Sequence, residues 1–445
     1  MTMAIVACGP EQKPFPEIDR AKLRIKLERT GCFGSCPRYQ VSIDGNGNVI
    51  FDTGPTSTEM GFGNGPDYSI ETGVRVSGKY HSHISPAKID ALIHQFQSVG
   101  FFDLEDEYVS EVTDNPTYVV SIDTGNGKKS VVDYAGEDVG MSPAVTRLED
   151  AIDEAAGTDR WIKGTPEIIP MLKAVGTDFS GVIGLELMDA AAERNDIATM
   201  IRLKSRGAPL YIKGGPNPFR SATYAGHNQA ALWLLQNGAA AENSAYDSAL
   251  GDAVSLARHA PFRVLSRDPR LRNIGQRKAT ELLAIAAANA DVRLVRYFLA
   301  LGANPRGIGE MKGASDPPLF KAANGGLVND HGFGVGERRK VVAMLLKAGA
   351  GTAHTQYGYP QSILWAVDDP TIAEMLINAG ANPNFRDDEG EHILFSISDD
   401  DVAMVLIAHG ADLDAVRPAD GMTLGRWARY QGWRRVVDLL NRKGL

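Results

Sequence analysis

The sequence has few cysteines, no long apolar run and no excess of basic residues. All three cysteines lie within the first 36 of its 445 residues. No run of 18 apolar residues occurs, so no transmembrane helix is expected. The net charge of −9 disfavours nucleic acid as the main partner, because phosphate binding needs clustered lysine and arginine. The rest of the composition is ordinary for a globular protein. The length of the chain predicts more than one folding unit.

Sequence motifs of common enzymes are also missing. The chain has no Gly-x-Ser-x-Gly nucleophile turn, no phosphate-binding loop and no His-Glu-x-x-His metal motif. Acidic runs such as Glu105–Glu107 and Asp399–Asp401 are typical of solvated loops and helix N-termini. We therefore expect a protein that is not an enzyme and that carries no cofactor.

A short phrase recurs along the last 240 residues: two apolar residues followed, a few positions on, by Gly-Ala. The glycines of this phrase, from Gly207 onward, are separated by 31, 64, 47, 31 and 30 residues. The step of 64 fits two units and the step of 47 fits one unit with an insertion. Such a period is typical of stacked helical hairpins, each too small to bury its apolar face alone. The glycine is expected to end the outer helix in a left-handed conformation.

The sequence around these glycines resembles the ankyrin repeat. The matching segments are Gly-Ala-Asn-Pro at 302–305, Gly-Ala-Asn-Pro-Asn at 380–384 and Gly-Ala-Asp-Leu-Asp at 410–414. The resemblance implies an all-α solenoid of seven to eight hairpins over residues 185–445, which binds a protein partner on its concave face. The Thr-Pro-Leu-His phrase of the family is nowhere intact, so its threonine–histidine hydrogen bonds are expected to be mostly absent.

Aromatic and arginine residues occupy the predicted loop tips of this array. Such side chains supply much of the binding energy at protein interfaces, although each could instead pack between repeats. The candidates for partner binding are Tyr211, Tyr357, Tyr359, Phe385, Arg386 and Arg417.

The region before the array has strand-like alternation. Leu23–Leu27 and Tyr39–Ile43 alternate apolar and polar residues, and Asp44–Gly47 supplies a hairpin turn. Two helices are predicted, one after Ser85-Pro86 and one over Met141–Ala156. Residues 20–160 are thus expected to form an α+β domain with a mainly antiparallel sheet. Residues 161–184 form a linker or cap, and the sequence does not decide whether Trp161 belongs to the domain or to the repeats.

The string from Gly31 to Tyr39 resembles the Cys-Phe-Gly-x-Cys-Pro-x-Tyr signature of a bacterial domain family of unknown function, common in envelope lipoproteins. Cys32 and Cys36 are four residues apart across a glycine turn, and a structural disulfide is the favoured interpretation in an oxidising compartment. A redox-active pair is less favoured. A zinc site would need histidines, and His81 and His83 are the weak candidates because they would share one face of a strand.

The first 19 residues resemble a leader remnant and tether. Ile5–Cys8 is similar to the lipobox of bacterial lipoproteins, which makes Cys8 a candidate for lipidation, although no basic segment precedes it. The main hypothesis is a non-enzymatic envelope protein, periplasmic or attached to the outer membrane, whose array binds another protein. The alternatives are a cytoplasmic ankyrin-repeat immunity or antitoxin-like protein, and an enzyme with a cysteine-containing N-terminal site.

Overall fold

The structure is a computed structural model that describes residues 14–34, 36–54, 73–308, 316–323, 334–356, 359–365 and 367–445. The chain divides into two compact units, Met1–Ala241 and Glu242–Leu445. The first unit contains a sheet domain followed by two helical hairpins, and the second contains the remaining repeats. The first unit thus extends past residue 185, where the sequence predicts the array to begin.

The sheet domain is a seven-stranded, mostly antiparallel sheet with order β4-β3-β2-β1-β6-β7-β5. Only the β5–β7 pair is parallel among these strands. The strands are β1 Arg24–Arg29, β2 Tyr39–Asp44, β3 Asn48–Asp52, β4 Lys79–His83, β5 Glu107–Val109, β6 Tyr118–Asp123 and β7 Lys128–Tyr134. The α+β class and the mainly antiparallel sheet are therefore confirmed.

Two helices cover one face of this sheet because their apolar positions recur at helical spacing. They are α1 Pro86–Ser98 and α2 Pro143–Ala156. Ile89, Leu92 and Phe96 of α1 pack in one core with Ile25 and Leu27 of β1. Helix α2 begins at Ser142-Pro143, where the serine side chain accepts from the Ala144 N–H, and it ends at Gly157 with a φ of 67°. Both helices predicted from the sequence are confirmed.

The segment after α2 belongs to the packing of the sheet domain. Two short helices follow, α3 Asp159–Ile162 and α4 Ile168–Ala174. Trp161 of α3 is 2% exposed and stacks on Tyr80, with ring centroids 4.1 Å apart. Its carbonyl accepts from the N–H of Val76. Trp161 thus completes the core of the sheet domain, which the sequence left undecided.

The helical hairpins follow the predicted repeat. In the first unit they are α5 Val182–Glu193 with α6 Ile197–Lys204, and α7 Pro218–Tyr224 with α8 Asn228–Gln236. The second unit holds α9 Asn243–Ser255, α10 His259–Leu265, α11 Pro269–Arg272, α12 Gln276–Ala288, α13 Val292–Ala300, α14 Pro318–Ala323, α15 Val335–Lys347, α16 Pro370–Asn378, α17 Asp400–Ala408, α18 Leu424–Gln431 and α19 Arg434–Lys443. The ankyrin-like solenoid is thus confirmed as a fold.

Repeat boundaries are set by the residues that the sequence singled out. The glycines that end the outer helices have φ between 88° and 103°, from Gly207 to Gly380, which is the left-handed region that favours glycine. Asp196, Asp291 and Asp369 each accept backbone N–H groups at the start of an outer helix. The sequence predicts all three aspartates as caps, because each directly precedes an outer helix, and these caps are confirmed.

The repeat in the sequence predicts inner helices at Ser362–Val367 and Ile393–Ile397, and the structure differs at both places. At the first, β8 Ala353–Gln356 pairs with β9 Tyr359–Ser362 and a turn follows. The next inner segment is a single 3₁₀ turn, Ile393–Phe395. Both segments are short, and helices of this length gain little stability from helix propensity alone.

Candidate functional site

The loop between β1 and β2 carries a disulfide between Cys32 and Cys36, whose Cα atoms lie 5.5 Å apart. Phe33 lies within this small ring and is 89% exposed. The backbone beside the ring is tied to the β5–β6 loop, because Thr30 N–H donates to Thr117 O and Thr117 N–H donates to the Thr30 hydroxyl. The loop is therefore fixed at both its cross-link and its base.

A polar cluster lies where the ends of β1, β2 and β6 meet. Arg29 donates to the hydroxyl of Tyr118 at 2.6 Å and to that of Tyr39 at 3.3 Å. Tyr39 in turn donates to a carboxylate oxygen of Asp153 on α2 at 2.5 Å. Thr158 donates to the other oxygen of Asp153 at 2.8 Å. This network ties three strands to α2 beneath the disulfide loop.

Glu149, one helical turn before Asp153, is a buried acidic group near this cluster. It is 3% exposed, and its Oε1 has no hydrogen-bond partner among the described residues. Burial, reinforced by the nearby carboxylate of Asp133, raises the pKa of Glu149 to about 8. Glu149 is thus a neutral carboxylic acid near neutral pH. Such a group can hold or release a proton in the physiological range.

The array residues predicted to bind a partner differ in how far their side chains are exposed. Arg386 is exposed, Phe385, Arg417 and Tyr211 are half-buried, and Tyr359 contributes its backbone to β9. Tyr357 lies outside the described residues, as does Cys8. Phe385 and Arg386 lie on one loop and Arg417 lies on the next, and the Arg386 guanidinium lies 3.3 Å from Asp412 of that next loop.

A buried histidine holds the asparagine that links these two loops. His392 is fully buried; its Nδ1 accepts from Leu394 N–H and its Nε2 lies 3.1 Å from Asn384 Oδ1. The same oxygen of Asn384 accepts from the N–H of Asp412 at 2.8 Å. Burial, with the charge of Arg386, lowers the pKa of His392. His392 thus positions the side chain of Asn384, and Asn384 makes the hydrogen bond to the following loop.

An aromatic group on the last repeats was not identified from the sequence. Trp427 stacks on Tyr430 with ring centroids 5.6 Å apart, and Arg417 lies 5.0 Å from the centre of the Trp427 ring. Tyr430 is 77% exposed. Trp427 and Tyr430 are three residues apart on α18, so their helical spacing could have revealed this pair.

Comparison with known proteins found one family match and a distant structural similarity. Residues 23–156 match the model of a family described as a domain of unknown function, DUF6438. Among curated proteins, none matches the chain. Among solved structures, the chain is similar to the crystal structure of the human ASB11 ankyrin repeat domain, with 18% identity and a TM-score of 0.35. That similarity covers 51% of this chain and 98% of the other. The ankyrin-like fold described above rests on the hairpins themselves.

The remaining candidates concern metals and membranes. His81 and His83 lie on the same exposed side of β4, as expected for residues two apart on a strand. Across the described part of the chain, no group of three or more histidine, cysteine or acidic side chains could hold a metal ion. Within the same residues, no helix is both long enough and apolar enough to cross a membrane.

The raised pKa of Glu149 gives a pH-dependent prediction. Between pH about 4.5 and about 8 the unfolded chain has lost this proton while the folded chain keeps it, so the contribution of Glu149 to stability falls as pH rises. We expect Glu149→Gln to raise the free energy of unfolding by ~2–4 kcal/mol at pH 8 and to change it little at pH 4. Urea unfolding at both pH values measures this difference.

Glu154 on the same helix offers a matched control because its side chain is exposed. Glu154→Gln is expected to change stability by less than about 0.5 kcal/mol at both pH values. An equal effect of Glu149→Gln at pH 4 and pH 8 would contradict a neutral Glu149 in the folded protein.

Proposed function

We propose that this chain is a non-enzymatic interaction protein of the bacterial cell envelope, and that its ankyrin-type array binds a protein partner. The observation that carries the proposal is the run of arginine and aromatic side chains along the last repeats, from Phe385 and Arg386 to Arg417, Trp427 and Tyr430. These residue types are enriched in the centres of protein interfaces.

The geometry of this run supports binding of a shaped partner. Each of two successive loops is closed by a short antiparallel bridge, Arg386 with His392 in one and Val416 with Thr423 in the next. Asn384 also donates to the carbonyl of Gly410 in the next repeat at 2.8 Å. Loops that are fixed before binding lose little conformational entropy when a partner arrives. The array therefore presents its arginine and aromatic side chains on a prepared surface.

The test compares two full-length variants in cells of the natural host. Arg386→Ala with Tyr430→Ala removes two exposed members of the run, while Arg293→Ala with Arg296→Ala removes exposed arginines from the outer helix α13. Quantitative mass spectrometry of co-purified proteins should show partners depleted at least tenfold by the first variant only, since hot-spot truncation costs about 2 kcal/mol or more per residue. Equal partner recovery from both variants would contradict binding through this run.

The envelope location is supported by the Cys32–Cys36 disulfide, since disulfides persist mainly in oxidising compartments. We expect intact mass analysis of the protein from host membranes to show a lipid-modified Cys8 terminus and a gain of two hydrogens on reduction. A soluble, unmodified and fully reduced chain would instead favour the cytoplasmic immunity or antitoxin-like alternative.

A further inference from the structure

Three loops of the sheet domain meet at one end of the sheet. The register places Arg29 opposite Tyr118, Tyr118 opposite Asp133 and Val109 opposite Tyr134. The loops after β1, β5 and β7 therefore leave the sheet side by side. Hydrogen bonds hold them together: Ser110 N–H donates to Tyr134 O, besides the Thr30–Thr117 pair.

Exposed apolar side chains gather on these loops. We call this set the sheet-end surface; its members are Phe33 (89% exposed), Val109 (53%), Val112 (42%) and Val139 (48%). A phenylalanine exposed to this degree contributes almost nothing to the core of its own chain. Three further exposed apolar residues lie on the other loops at this end of the sheet, whereas isolated apolar residues are normal on any surface. The grouping on three adjoining loops is what indicates a contact surface.

The charges around this surface indicate which kind of partner it binds. The three loops carry four exposed carboxylates, on Glu111, Asp114, Glu137 and Asp138, and one arginine, Arg38. An anionic lipid surface would be repelled by this excess of negative charge. A second protein with lysine and arginine around an apolar pocket would be attracted.

The disulfide restricts the backbone around Phe33, as expected for a side chain that inserts into a partner. A five-residue ring closed by Cys32 and Cys36 restricts the backbone on both sides of the phenylalanine. Fixing such a loop in advance lowers the entropic cost of inserting its side chain into a pocket. Reduction of the ring should accordingly weaken binding without changing any contact residue.

We propose that the sheet-end surface binds a second protein, and that Phe33 inserts into an apolar pocket of that protein rimmed by basic side chains. This interface is separate from the one proposed for the array. It uses only residues of the sheet domain, and its failure or success leaves the array proposal untouched.

The experiment places a photo-reactive benzoyl-phenylalanine at position 33 of the full chain, in cells of the natural host. The expected product is a cross-link to one other protein, with the linked peptide in an apolar site flanked by lysine or arginine. Val109→Ser with Val112→Ser should lower its yield at least fivefold. The matched control Val175→Ser, at a residue 72% exposed after α4, should leave the yield unchanged.

A binding measurement with the purified partner completes the test. Phe33→Ser is expected to weaken affinity at least tenfold while leaving the melting temperature unchanged, since the side chain is outside the core. A cross-link to lipid, a cross-link to a second copy of this chain, or no cross-link above that of the same label at Tyr224 would each overturn the proposal. Unchanged affinity of Phe33→Ser would overturn it as well.

Discussion

Replacing Arg75 by methionine is expected to destabilise the first unit by ~3–5 kcal/mol, because two buried carboxylates lose their counter-charge. Arg75 lies in the segment before β4 and pairs with Glu186, Asp189 and Glu193 of α5. The side chains of Glu186 and Asp189 are only 4% and 2% exposed. Burial already raises the pKa of Asp189, and removal of Arg75 would raise it further. Urea unfolding at pH 7, followed by hydrogen exchange across α5, measures the loss.

A rescue and a control separate this buried pairing from a general effect of removing an arginine. Asp189→Asn in the Arg75→Met background keeps a group that can accept from the Ser221 hydroxyl, and it should recover a large part of the lost stability. Arg435→Met removes an exposed pair with Asp401 and should cost less than about 1 kcal/mol. Similar losses for Arg75→Met and Arg435→Met would show that the buried site contributes no more than a surface pair.

Trp161→Ala is expected to cost ~3–5 kcal/mol, since it opens a large cavity in the core of the sheet domain. The indole stacks on Tyr80 at 4.1 Å, with a 6° angle between the rings, and lies 6.1 Å from Phe51. Phe51 in turn stacks on Tyr39 at 5.2 Å, so the cavity would adjoin the polar cluster below the disulfide loop. Thermal unfolding measured by circular dichroism would show the loss.

The matched control for this substitution is Trp365→Ala. Trp365 is 55% exposed on the turn after β9, so its removal leaves no closed cavity and should cost less than about 1 kcal/mol. Trp161→Phe should lose less than half as much stability as Trp161→Ala, because a ring still fills the site. Equal melting temperatures for Trp161→Ala and the unmodified chain would contradict the packing described here.

Regular elements of this protein were predictable because each carries a local signal. The alternation in Leu23–Leu27 predicted β1, and the register confirms that Ile25 and Leu27 point to the core. The glycines after the outer helices and the aspartates before them are local signals of the same kind. Their conformations depend on neighbours within four residues, which a single sequence displays.

Long-range contacts were not predictable in this way. Arg75 and its three carboxylate partners on α5 are 111 to 118 residues apart, and no local pattern connects them. Trp161 lies in a segment without periodicity, so its side chain could have packed on either neighbouring region. Turns such as 363–365 depended on a hairpin, β8–β9, whose strands carry no clear alternation.

Glu149 was predictable from the sequence in its position but not in its pKa. It follows Val145 by four residues and precedes Ile152 by three, so it occupies the apolar stripe of α2. A carboxylate in that position is a visible departure from the helical pattern. The sequence could thus have singled out Glu149, but the pKa shift depends on Asp133 of β7, which only the folded sheet brings close.

The position of β1 in the sheet has a consequence for synthesis of the chain on the ribosome. β1 pairs on one side with β2, which follows closely, and on the other with β6, which begins at Tyr118. Between the emergence of β1 and β6, the ribosome adds about 90 residues, which takes roughly 5 to 20 s. During that interval β1 has one unpaired edge, and unpaired edges are templates for wrong pairing. Newly made chains are therefore most exposed to aggregation before residue 123 has emerged, and a chaperone that holds this edge would act within that interval.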